Sequence, residues 1–148
     1  MMNAQAEPTH RIVVGIDGSR ASVAALDWAA RQADLTGSTL DVVTTWEWPT
    51  SYGWALPFPS DYNPASDLRS MLNEVLVKVQ GDYPGVVIRE IVFEGHPAPA
   101  LVQASRDADL LVVGSRGHGE FVGMLLGSVS EHCVTNAHCP VLVLRDGG

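Results

Sequence analysis

Between Val112 and His132 the chain reads VVGSRGHGEFVGMLLGSVSEH, with glycines at 114, 117, 119, 123 and 127. Glycine loses more conformational freedom on folding than any other residue, so a cluster of them needs a physical reason. One reason is chemical. Glycine lets the backbone approach a ligand without a Cβ in the way, and consecutive N–H groups in such a turn form a concave anion seat. The spacing Gly114-x2-Gly117-x9-Gly127 runs directly into Ser128, and Glu131 completes a Ser-x-x-Glu capping box that starts a helix at Ser128. The free amides and positive dipole end of that helix would face whatever the glycine segment holds, which favours a phosphate. If the glycines only permit turns in a connecting loop, the capping pattern has no explanation.

Other phosphate motifs are absent. No Gly-x-Gly-x-x-Gly occurs, and the Gly-Lys-Ser/Thr of a Walker loop is excluded because the single lysine is Lys78. His118 and Glu120 have the His-x-Glu spacing of zinc deaminases, but the Pro-Cys-x-x-Cys that must accompany it is missing. Cys133 and Cys139 lie six apart, which on a helix separates them by roughly 120° and gives no metal-ligand spacing. Cys133 reads as a core residue and Cys139 as the lead-in to a strand. No Gly-x-Ser-x-Gly nucleophile turn occurs, and no paired carboxylates flank a plausible site, so nothing in the pattern asks for an enzyme. Asp17, in "GIDGS" after the first apolar run, has two readings, a ligand contact or an Asx turn leading into the next helix.

The elements that position these residues follow from periodicity. "RIVVGID" is a branched apolar run, and the segment after it carries Val23, Leu26, Ala30 and Ala33 at helical spacing with Gly37 as its stop. "TLDVVTTW", residues 39–46, is a second strand, and Leu68, Met71, Leu72, Val75 and Val79 mark one face of a second helix. "GVVIREIVFEG" is a third strand, and "HPAPALVQASRDA" is a short helix with prolines at its entrance. "DLLVVG" is a strand without polar interruption, suited to a central place covered on both sides. From Ser128 to His138, Val129, Cys133, Val134 and Ala137 have helical spacing, and "PVLVLR" is a fifth strand.

Alternating strands and helices imply an α/β fold: one doubly wound, five-stranded parallel sheet sandwiched by four helices, Rossmann-like in its winding. Ligands of such sheets bind beyond the carboxyl ends of the strands, where the strand order reverses. Gly15 to Ser19, Trp46 onward and Gly114 onward are therefore expected to be neighbours in space. The segment 47–64, with four prolines and five aromatic residues, is a long loop that either covers the sheet edge or reaches the ligand.

Bulk properties agree with one domain over residues 11–146, preceded by a flexible polar start over 1–10, in a chain of 148 residues. A formal charge of -8, with no clustering of the basic residues, argues against a nucleic-acid or anionic-membrane surface. Any anion must then be held by local backbone groups. Two cysteines make no secreted disulfide framework, "MMNAQAEPTH" has no apolar core for a signal peptide, and no apolar run approaches the ~18 residues of a membrane span. The expectation is a cytoplasmic protein.

The spacing Gly114, Gly117, Gly127, Ser128, together with "GIDGS" after the first strand and "CPVLVLR" at the end, resembles the ATP-binding branch of the universal stress protein family over nearly the whole chain. That resemblance implies an ATP site, occupied with Mg2+, generally without rapid turnover, and a homodimer through the last strand, residues 140–145. It places Ile16 and Asp17 at the adenosine end, with Trp46 lending backbone groups to the adenine. Gly114, Ser115 and Gly117 would lie along the ribose and α-phosphate. Gly127, Ser128, Val129 and Ser130 would bind the phosphates, with Arg116 the nearby cation and Glu120 a negative charge in the same loop. A cyclic AMP-binding variant, a slow ATP hydrolase and a nucleotide-free dimeric interaction protein are the alternatives.

Overall fold

The computed structural model describes residues 10–17, 19–46, 64–115 and 127–145, with backbone alone at 46, 64–68 and 71. Strand β1 (Arg11–Gly15) leads into helix α1 (Arg20–Thr36), β2 (Thr39–Trp46) into α2 (Pro64–Asp82), and β3 (Ile88–Glu94) into α3 (Pro97–Ala104). A 3-10 turn (Ser105–Asp107) then precedes β4 (Leu110–Gly114), α4 (Ser128–Asn136) and β5 (Val141–Leu144). All strands pair in parallel, in the order β3-β2-β1-β4-β5. The chain moves left from β1 and then right from β4, so the order reverses between these two strands.

Strand alternation divides the apolar residues between the two faces of the sheet. Ile12, Val14, Leu40, Val42 and Val112 join the core under α1 and α2, while Val13, Val43, Leu111 and Val113 join Leu101 and Cys133 under α3 and α4. β4 is buried on both faces, as its uninterrupted apolar run requires, although β1 is the central strand and β4 lies between β1 and the edge strand β5. α1 turns an alanine-rich face, Ala21, Ala25, Ala29, Ala30 and Ala33 with Leu26, against the sheet, and small side chains let the helix axis come close. It stops at Gly37, whose φ of 71° is the left-handed cap expected of that glycine.

Two helical faces differ from the periodic expectation. Val23 is 37% exposed, because the alanines and Ser22 occupy the buried stripe, and Val134 is 51% exposed on the outer side of α4. One apolar residue is a weak guide to the buried face of a helix. α4 also ends at Asn136, short of His138. In α2, Leu72 and Val79 are buried as expected, with Val75 partly so and Leu76 added. The side chains of Leu68 and Met71, the segment 47–63 and residues 1–9 lie outside the described residues.

At the amino ends of the strands a charged group is buried. Asp41 of β2 is fully buried, and its carboxylate accepts from Arg89 Nε and Nη2 at 2.8 Å each and from Arg11 Nε at 2.5 Å. One carboxylate thus fastens β1, β2 and β3 across their register. Burial alone would raise the Asp41 carboxyl, but the hydrogen bonds and charges of Arg89 and Arg11 outweigh it and hold the carboxyl below its usual range. A depressed folded-state pKa means the contribution is complete above the ordinary carboxylate pKa and fades as pH falls through the folded value. Asp41→Asn should therefore lower stability by about 2 kcal/mol at neutral pH, with the gap to wild type closing below roughly pH 4. Urea melts at both pH values measure this, and an unchanged gap in acid would remove the charge from the explanation.

Candidate functional site

The turn after β1 is held from two sides. Ile16 N donates to Val43 O at 3.0 Å, and the buried Thr44 hydroxyl donates to Ile16 O at 2.8 Å, so the exit of β1 is tied to the end of β2. Ser19 N–H donates to Asp17 Oδ1 at 2.9 Å, Asp17 N–H donates to Ser22 Oγ at 3.2 Å, and Ser19 Oγ accepts from Ser22 N as the N-cap of α1. Asp17 therefore makes the Asx turn and lines the cleft as well, so its two readings are compatible. Thr44→Val should cost about 1–2 kcal/mol because Ile16 O loses a buried donor, while Thr44→Ser should stay close to wild type. Denaturant melts of the pair decide whether the hydroxyl or the packing matters.

Packing explains two of the glycines at the mouth. A Cβ on Gly114 would meet the carbonyl carbon and Cβ of Ala21 at 2.8 Å and Ser22 N at 3.0 Å. A Cβ on Gly15 would meet Leu101 Cδ1 at 2.8 Å. Neither position has a positive φ. The sequence reading gave Gly114 to ligand approach, but the structure shows that the missing side chain first admits the N-terminus of α1.

After β4, Ser115 N donates to Leu144 O at 2.8 Å, and Ser115 O accepts from Gly127 N at 2.6 Å. Residues 115 and 127 are thereby joined on either side of the segment 116–126, which lies outside the described residues together with Arg116, Gly117, His118 and Glu120. The Ser130 hydroxyl is buried and points to Ser115 O at 2.9 Å and Gly127 O at 3.0 Å. Its single proton is committed to the backbone of this neck. The amide is the group Ser130 retains for an anion.

The capping box does not form as the sequence suggested. α4 does begin at Ser128, but its N-cap is Gly127, with φ -75° and ψ 169°, and no side chain makes the capping bond. Glu131 N–H returns to Gly127 O at 2.9 Å. Ser128 sits one position too far in to serve as the cap, and glycine has no oxygen to offer. A helix offers its first-turn amides no acceptor of its own, so the amides of Val129 and Ser130 suit an acceptor from outside it.

These pieces meet in one cleft, open to solvent, at the carboxyl ends of the strands. Gly15, Ile16 and Asp17 form one side, Gly114, Gly127, Val129 and Ser130 another, at the point where the strand order reverses. The two glycine-bearing exits are neighbours, as expected. The third place is represented by Val43, Thr44 and Thr45 of β2, and Trp46, the last residue of β2, follows them with its backbone opposite Glu94. Sequence reasoning missed Pro97 and Leu101 of α3, which form the apolar wall. A helix reaching over the sheet from β3 leaves no local signal of what it will face.

No lysine or arginine lines the cleft among the described residues, so an anion there would meet backbone amides and hydroxyls such as those of Ser19 and Thr45. The described residues also hold no group of three or more His, Cys, Asp or Glu placed to bind a metal. Cys133 is fully buried, and burial pushes its thiol up to about 11, so it packs and does not react at neutral pH. No helix among the described residues is long and apolar enough to cross a membrane.

Sheet order, winding and a cleft at the reversal point define a doubly wound α/β protein whose cleft lies at the carboxyl edge, where folds of this class hold their ligands. Within that class the sequence model of the universal stress protein family matches residues 8–145, and the chain belongs to this family. Universal stress protein Rv2623 of Mycobacterium tuberculosis is 38% identical over 141 residues, covering 91% of this chain and 45% of the relative. The chain thus spans about half the length of that relative. Among solved structures, a universal stress protein in complex with cAMP is 28% identical with a TM-score of 0.70, covering 95% of this chain and 100% of its own. A family protein of Arabidopsis thaliana with AMP bound is 21% identical with a TM-score of 0.60, covering 93% of this chain and 91% of its own.

Proposed function

We propose that the cleft binds an adenine nucleotide and that the chain works as a nucleotide-responsive binding module. One observation carries this reading: the first turn of α4, with no side-chain cap, opens onto a cleft whose other wall is apolar. Phosphate oxygens suit the amides, and a purine ring suits the wall. The cAMP held by the 28%-identical relative supports the ligand class.

Within that class the proposed ligand is ATP, with Ile16, Asp17 and Trp46 at the adenosine end and Gly127 to Ser130 at the phosphates. Asp17 is the one acid in the described lining, and its Oδ1 already accepts from Ser19. Magnesium fits as part of the nucleotide complex, held by phosphate oxygens and water, since the described residues build no cage for it. Cyclic AMP is the second reading, favoured by the ligand of that same relative. The module is further proposed to act in the cytoplasm, apart from nucleic acid, as a homodimer through 140–145, where β5 is an edge strand.

Mass spectrometry of small molecules released from freshly purified, denatured protein tests the class, and calorimetry with ATP and cAMP separates the two ligands. An adenine nucleotide mass and a binding isotherm are expected. Release of no nucleotide, with no heat from either ligand, would overturn the proposal.

A further inference from the structure

Three helix N-termini reach the cleft: that of α1 carries the Ser19 side-chain cap, while those of α3 and α4 have no side-chain cap and differ in what they can donate. α3 begins Pro97-Ala98-Pro99, and proline has no N–H, so the first and third helical positions present nothing and only Ala98 can donate. α4 begins Ser128-Val129-Ser130, with an amide at each position. Pro97 and Leu101 line the cleft on the α3 side, Val129 and Ser130 on the α4 side. Leu101 is 3% exposed, and its methyl groups fill the space that a Gly15 side chain would need, which fixes the wall in place. An anion against this wall would lose hydration and gain little, whereas an uncharged ring would bury apolar surface.

We propose that Pro97 and Pro99 are specificity determinants: by stripping α3 of amides they reserve its side of the cleft for the uncharged ring and leave α4 as the seat for phosphate. This rests on the nucleotide reading above and deepens it. Orientation then comes from what one helix cannot donate as much as from what the other can. Adenosine should engage α3 alone, inorganic pyrophosphate α4 alone, and AMP both.

Isotope-edited NMR of the wild-type protein tests the orientation. NOEs are expected from the H2 or H8 protons of AMP to the Leu101 methyls, and AMP but not adenosine should shift the Val129 and Ser130 amides. Calorimetry of the double variant P97A/P99A tests the prolines. Restored amides should raise the affinity for pyrophosphate relative to adenosine about tenfold, the scale of one hydrogen bond to a charged group. Ring-proton NOEs to Val129 in place of Leu101, or an unchanged affinity ratio in a folded double variant, would overturn the inference while leaving nucleotide binding intact. Should the double variant not fold, the wild-type NOEs decide it alone. An AMP titration that shifts no residue of the cleft would sink the nucleotide reading itself, and this inference with it.

Discussion

Gly114→Val should fail to give a stably folded protein, and Gly114→Ala should lower stability by about 2 kcal/mol, or roughly 4–8 °C in Tm. The expectation comes from backbone atoms. A new Cβ would lie 2.8 Å from the Ala21 carbonyl carbon and 3.0 Å from Ser22 N, and neither atom can swing aside as a flexible side chain does. Relief requires α1 to lift from β4, which uncovers the alanine stripe that carries much of that core. Gly15→Ala is the informative comparison, since the atom it meets at 2.8 Å is the end of the Leu101 side chain. That variant should stay folded and push Leu101 toward the cleft. Thermal melts of both variants measure this. Equal losses would show that backbone contact is not what distinguishes Gly114.

The second large effect concerns binding. Val129→Pro removes one amide from the first turn of α4, a place where proline is tolerated by the helix. Losing one hydrogen bond to a charged phosphate should weaken AMP about ten- to a hundredfold. Val129→Ala keeps the amide and trims the same packing against the second core cluster, so it should bind far closer to wild type. Calorimetry on the two variants separates amide from packing. Equal affinities would mean that the amide is not used.

Much of the architecture is legible in the chain because local patterns and global winding agree. The branched apolar runs of β1, β2 and β4, the stop at Gly37 and the prolines opening α3 each act within a few residues of their own position. Alternation with helices then forces parallel crossovers and, with them, a cleft at the strand ends. What stays hidden depends on register between distant strands. Nothing near Asp41 in sequence announces that Arg11 and Arg89 will close on it from β1 and β3. Nor does "VVG" disclose that the glycine of β4 makes room for Ala21, 93 residues earlier.

The α4 terminus shows how small an error can matter. Ser128 and Glu131 satisfy the capping pattern, yet the cap falls one residue earlier, on Gly127. The pattern cannot count to that accuracy, because helix ends are set by where the chain leaves its preceding turn, here the hydrogen bond from Gly127 N to Ser115 O. The consequence favours binding. A serine cap would have occupied an amide that a glycine cap leaves to an outside acceptor.

Asp17 is similar in kind. Its carboxylate organises the Asx turn that starts α1 and stands at the cleft edge, so removal would alter the turn and the lining together. Ser130 likewise closes the neck with its hydroxyl. Substitutions at either position mix structure with binding. The Val129 pair avoids that mixture, since its two members differ chiefly in one N–H.

The most direct measurement is a crystal structure of the protein with saturating AMP. Phosphate oxygens are predicted about 2.9 Å from the amide nitrogens of Val129 and Ser130, with the purine ring against Pro97 and Leu101. Nucleotide bound elsewhere on the sheet, or phosphate turned away from the first turn of α4, would contradict the account.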